Sequence, residues 1–169
     1  MMRREAHHQF NRIYTDGMSS ANAKAKFMKI GIVTLGCDKN TVDSEYFAGI
    51  LAERGHRVFV PDEMAQPDAV VINTCGFIES AREESIRVIL EWAAEKEHRR
   101  LEKNTPLRLF VVGCLAQRYL EELKEALREV DGFLGVGRWR DIPGLLERCS
   151  SGGMGDMMGR VAPPVYLSK

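Results

Sequence analysis

Three of the four cysteines, Cys37, Cys75 and Cys114, each stand just past a short β-rich apolar run, at nearly equal intervals along 169 residues. A thiolate is both a soft metal ligand and a nucleophile, so the repeat predicts three sulfurs gathered at one edge of a sheet. Three thiolates suit a 4Fe–4S cluster with one iron left without a protein ligand, or a zinc site completed by a fourth donor. A redox or catalytic cysteine, and simple burial of a small apolar side chain, are the other readings of these residues. The sequence has no C-x-x-C knuckle, the usual source of structural zinc ligands.

The elements that must position these cysteines alternate strand and helix. Ile30 to Leu35 is a β-branched run, Thr41 to Arg54 carries Phe47, Ile50 and Leu51 at helical spacing, and Gly55 occupies a helix C-terminus. Arg57 to Val60 reads as a second strand, closed by Pro61-Asp62, and Ala69 to Ile72 as a third whose lack of polar alternation predicts burial on both faces. Ser80 with Glu83 has the spacing of a capping box that starts a helix with the core face Ile86, Ile89, Leu90 and Ala93. That helix runs out through Glu95 to Lys103, where acidic and basic residues interleave as on a solvated helix end. After the turn at Asn104-Thr105-Pro106 comes a fourth strand, Leu107 to Val112, and a helix lined by Leu120, Leu123, Leu127 and Val130. A fifth strand at Phe133 and Leu134 leads to a last helix with the apolar face Ile142, Leu145, Leu146 and Cys149, which gives Cys149 a structural role.

This order predicts an α/β fold, a flavodoxin-like doubly wound and mostly parallel five-stranded sheet with strand order 2-1-3-4-5. The three cysteines then follow strands one, three and four, which are consecutive neighbours about 4.8 Å apart, and all sit in strand-to-helix turns. Helix N-termini favour the thiolate, so lowered thiol pKa values are expected there.

Composition narrows the function further. A 44% hydrophobic, 28% charged chain of formal net charge zero has the balance of a soluble globular protein without a dominant basic surface, so no direct nucleic-acid binding is expected of this segment. No apolar run approaches the length of a membrane span, which predicts no membrane association and, with cysteine usage that favours ligation over disulfides, a cytoplasmic setting. The other motifs point to little. Gly135-Val136-Gly137 lacks the third glycine of a dinucleotide loop and reads as a turn. The turn Gly36-Cys37-Asp38-Lys39-Asn40 lacks the small hydroxyl residues of a flavin phosphate loop. Asp43 and Glu45 lie two helical positions apart and do not face each other. Residues 1–27, polar and aperiodic with His7 and His8, read as a disordered extension or added leader, and 150–169 as a linker toward an absent domain. The domain proper is expected at 28–149.

Three strings, occurring in order, resemble the N-terminal domain of the radical S-adenosylmethionine methylthiotransferases. They are Leu35-Gly36-Cys37-Asp38-Lys39-Asn40-Thr41-Val42-Asp43-Ser44-Glu45, then Asn73-Thr74-Cys75-Gly76-Phe77-Ile78 continuing to Glu84-Ser85-Ile86, then Val111-Val112-Gly113-Cys114-Leu115-Ala116-Gln117. The second string is similar to that of the RimO branch, which methylthiolates an aspartate of small-subunit ribosomal protein S-twelve. The tRNA-modifying branches typically carry a different string after Asn-Thr-Cys. The resemblance implies that Cys37, Cys75 and Cys114 bind an auxiliary 4Fe–4S cluster, with Asn40, Asn73 and Thr74 as flanking residues that hold the loops or donate hydrogen bonds to cluster sulfurs. It also implies a second 4Fe–4S cluster on a C-x-x-x-C-x-x-C motif that binds S-adenosylmethionine. This chain lacks that motif. It is therefore expected to hold no catalytic residue and to depend on absent radical and C-terminal substrate-binding domains. A tRNA methylthiotransferase domain and a zinc or apo interaction module are the alternatives.

Overall fold

The computed structural model describes residues 27–62, 66–102 and 105–150, the side chains of 148–150 excepted. The extension up to residue 26, the linker from 151 and the apolar role expected of the Cys149 side chain lie outside the described residues.

Five strands form one sheet in the order β2-β1-β3-β4-β5, every neighbouring pair parallel. They are β1 (Lys29–Thr34), β2 (Arg57–Phe59), β3 (Ala69–Thr74), β4 (Arg108–Gly113) and β5 (Gly132–Leu134). The helices between them are α1 (Asp38–Glu53), α2 (Glu79–Leu101), α3 (Cys114–Arg118), α4 (Leu120–Ala126) and α5 (Ile142–Ser150), the last entered through a 3-10 turn at Trp139–Asp141. This is the doubly wound arrangement that the alternation predicts.

The central strand β3 is buried at every position. Its alternate side chains feed two cores. Ala69 and Val71 join Ile30, Ile32, Phe47, Leu51, Ile142, Leu145 and Leu146 beneath α1 and α5. Val70 and Ile72 face the other way, toward Ile89, Ala93, Leu115, Leu123 and Leu127 on the side of α2, α3 and α4. Gly55 turns out of α1 with φ 84° as its position implies.

Four local expectations are corrected. The Ser80–Glu83 capping box does not form, because the chain stays extended through Ile78, which is the N-cap of α2; Ser80 is already helical and no side chain caps that end. Leu90 is exposed, whereas Ser85, Ile89 and Ala93 are buried: successive i, i+4 positions, rather than an i+1 neighbour, face the sheet. The helix after β4 is broken at Tyr119 into α3 and α4, and Leu127 and Val130 lie beyond it, though Leu127 is still buried. The charged end of α2 is not wholly solvated either. Arg99 is buried, donating to the Pro67 carbonyl at 2.9 Å and pairing with Glu95 at 2.6 Å.

Candidate functional site

Parallel register sets the site. Thr34 pairs with Asn73, and Thr74 with Gly113, so β1, β3 and β4 end level with one another. Cys75 directly follows Thr74, Cys114 directly follows Gly113, and Cys37 lies three residues past Thr34. The three cysteines are therefore carried to one edge of the sheet. None is in a disulfide; Cys37 is exposed, Cys114 half-buried and Cys75 buried.

Each cysteine is held differently. Cys37 is the N-cap of α1, in extended conformation, and its carbonyl accepts the Asn40 N–H at 2.9 Å and the Thr41 N–H at 3.4 Å. Cys114 is the first residue of α3. Cys75 belongs to no helix, since α2 starts four residues later. The α2 residue Ser85 reaches back to it instead: the fully buried hydroxyl accepts the Cys75 N–H at 3.2 Å and donates to the Cys75 carbonyl at 3.1 Å.

Glycines let the three turns close on one another. Gly36, at φ 93°, packs so tightly against Cys75 that a Cβ there would overlap the Cys75 Cβ and stand 3.1 Å from its Sγ. Gly113, at φ 100° and ψ −158°, occupies a region open to glycine alone, and a Cβ would meet the Thr74 carbonyl at 2.5 Å and Asn73 Oδ1 at 2.6 Å. A Cβ on Gly76 would come within 2.9 Å of the Leu115 Cα, beside Cys114. Reasoning from the cysteines alone passes over these residues. The available signal is that each of the three cysteines has a glycine next to it.

The flanking polar residues bind loop to loop. Asn40 Nδ2 donates to the Leu35 carbonyl at 2.7 Å, which closes the Cys37 turn. Asn73 Nδ2 donates to the Asn40 carbonyl at 2.9 Å and to Ser44 Oγ at 3.0 Å, and Thr34 Oγ1 donates to Ser44 Oγ at 2.7 Å. Thr74 Oγ1 donates to the Val112 carbonyl at 2.6 Å, joining the end of β3 to that of β4. Asn40, Asn73 and Thr74 are all buried, and these bonds run to backbone and to Ser44. Ser44 and Ser85 were not foreseen. Their signal is a serine in line with apolar positions on a helix face.

The expected lowering of thiol pKa is reversed at Cys114. Burial pushes its thiol up, the nearby Cys75 and Cys37 sulfurs and Asp43 add to the rise, and the Lys39 ammonium opposes it. Desolvation and like charges outweigh a helix of only five residues. The Cys114 thiol is thus influenced by the other two sulfurs, an effect that a bound cationic centre would oppose. Among the described residues, no three Cys, His, Asp or Glu side chains are grouped closely enough to hold a metal ion as they stand. Three free thiols on neighbouring strand ends are soft donors of the kind that ligate iron–sulfur clusters or zinc. An open groove of about 860 Å³ leads away from Cys37 and Cys75 past Phe77, Ile78 and Ala81 to Arg87.

Residues 29–135 match the family described as "Uncharacterized protein family UPF0004". The chain belongs to this family. The UPF0004 domain so delimited holds all five strands and Cys37, Cys75 and Cys114. It is similar to proteins named "Ribosomal protein uS12 methylthiotransferase RimO". The identity is 51% over 109 residues with the Anaeromyxobacter sp. (strain K) protein, covering 64% of this chain and 22% of that relative. It is 50% over 113 residues with the Bacteroides fragilis (strain YCH46) protein, covering 67% and 25%. With the Clostridioides difficile (strain 630) protein it is 42% over 124 residues, covering 73% and 26%. The chain thus spans about a quarter of the length of the curated relatives it matches. No helix among the described residues of the UPF0004 domain is long and apolar enough to cross a membrane.

Proposed function

We propose that residues 28–149, which contain the UPF0004 match, are the N-terminal part of a radical S-adenosylmethionine methylthiotransferase that adds a methylthio group to an aspartate of small-subunit ribosomal protein S-twelve. Their own task is to hold an auxiliary 4Fe–4S cluster on Cys37, Cys75 and Cys114. The observation that carries this reading is the convergence of three free thiols on neighbouring strand ends in a chain of which about two thirds aligns, at about half identity, with proteins named RimO. When bound, such a cluster supplies an iron without a protein ligand, a position open to a sulfur species.

This chain's residues bind and shape. Three thiolates hold the cluster; Gly36, Gly76 and Gly113 let the turns approach it; Asn40, Asn73 and Thr74 fix the turns to one another. The radical chemistry, with its second 4Fe–4S cluster and S-adenosylmethionine, belongs to domains outside this chain, as does substrate binding. The domain alone is inactive in methylthiolation, and the whole enzyme works in the cytoplasm.

Anaerobic reconstitution with iron and sulfide tests the reading. About four iron and four acid-labile sulfide per chain, with 4Fe–4S visible and EPR spectra, are expected. Zinc without sulfide, or neither metal nor sulfide, overturns it. Assay of the full-length enzyme on ribosomal protein S-twelve and on tRNA then decides the substrate.

A further inference from the structure

Of the three cysteines, Cys75 is the one that no helix terminus anchors. Cys37 caps α1 through its carbonyl, and Cys114 begins α3. Cys75 leaves β3 into a loop that, after buried Gly76, exposes Phe77 and Ile78. It is nevertheless the most buried of the three. Its peptide groups need partners that regular structure does not supply there.

We propose, resting on the cluster-binding role given above to Cys75, that Ser85 is a positioning residue that fixes the orientation of this ligand. One hydroxyl satisfies both backbone groups of Cys75, as acceptor at 3.2 Å and as donor at 3.1 Å. That pair of bonds sets the direction of the Cys75 Cα–Cβ vector relative to α2. Ser85 itself is fully buried on the sheet-facing side of α2, one turn before Ile89. The clamp has a second effect. It occupies the Cys75 N–H, a donor that would otherwise be available beside the ligating sulfur, and hydrogen bonds around ligating sulfurs tune a cluster's reduction potential.

The test compares Ser85→Ala, Ser85→Thr and Ile89→Val with the unsubstituted chain. The threonine keeps the hydroxyl, and the valine trims a methyl group from the same buried face of α2 one turn on. In the apo protein, alkylation of Cys75 by iodoacetamide, followed by mass spectrometry, should be about tenfold faster in Ser85→Ala, with exposed Cys37 unchanged as the internal reference. In the reconstituted protein, Ser85→Ala should release iron to a chelator about tenfold faster, the low end of the effect of disturbing residues behind a metal ligand, and show a shifted midpoint potential. Ser85→Thr should restore all three readouts toward the unsubstituted values. Ser85→Ala matching the unsubstituted chain, or Ile89→Val matching Ser85→Ala, overturns the assignment. If the unsubstituted chain takes up no cluster, the cluster-binding role fails, and the alkylation rates alone decide whether Ser85 fixes Cys75.

Discussion

The Asn73 side chain donates to the Asn40 carbonyl at 2.9 Å, tying the end of a central strand to the first turn of a helix 33 positions earlier in the chain. Its second bond, to Ser44, brings Thr34 into the same network. Asn40, Ser44 and Asn73 are buried there, while Thr34 lies at the exposed end of β1. Removing one partner there leaves others without replacement from solvent. Asn73→Ala should therefore destabilise the domain by about 2 kcal/mol, the cost of stranding buried polar groups, as read from urea unfolding. Combined with Ser44→Ala the loss should be less than additive, because the two residues share a bond.

Gly113 and Gly137 both have positive φ, 100° and 75°, but differ in surroundings. A Cβ at Gly113 meets the Thr74 carbonyl, and one at Gly137 meets nothing within 4 Å. Gly113→Ala should cost about 3 kcal/mol or more in denaturant unfolding, combining strain with a backbone clash. Gly137→Ala should cost about 1 kcal/mol.

Cysteine replacement separates ligands from bystanders. Cys75→Ala, Cys37→Ala and Cys114→Ala should each abolish assembly of a stable 4Fe–4S cluster on reconstitution, measured as iron and sulfide per chain. Cys149→Ala should assemble it normally. Cys149 lies about 10 Å along α5 from Ile142, whose end of the helix adjoins Asn73 and Gly113. Equal loss in Cys149→Ala and Cys75→Ala would contradict the three-ligand assignment.

His56 gives the domain a pH dependence unconnected with the cysteines. It is buried, neither ring nitrogen has a hydrogen-bond partner, and burial holds its pKa below the ordinary histidine value despite the opposing influence of Glu147; Arg54 lowers it further. In the unfolded chain His56 protonates near the ordinary value of about 6.5. Between that and the lower folded value the unfolded state binds more protons, so stability is fully present above about pH 6.5 and falls as pH drops toward the folded pKa. Urea midpoints from pH 8 to 5 should show this decline. His56→Leu should flatten it.

The sequence by itself determined the fold's class and strand order. Short unalternated apolar runs such as Ala69 to Ile72, bounded by turn residues, read as doubly buried strands, helices of 3.6 periodicity separate them, and parallel crossovers then leave few ways to lay the strands side by side. That order put Cys37, Cys75 and Cys114 on neighbouring strand ends, so the meeting of the three cysteines was legible as well. What only the tertiary structure decided is how those cysteines are held. The partners of Cys75 are Gly36 and Ser85, and those of Gly113 are Asn73 and Thr74, pairs brought together by sheet register and helix rotation rather than by nearness along the chain. The same reason governs the misjudged details. Periodicity gives a helix a face but not the exact rotation of that face against a sheet, which left Leu90 outside and put Ser85 inside. Composition marks Cys114 as a cysteine at a helix start, but its thiol pKa depends on burial and on two other sulfurs that reach it from different strands.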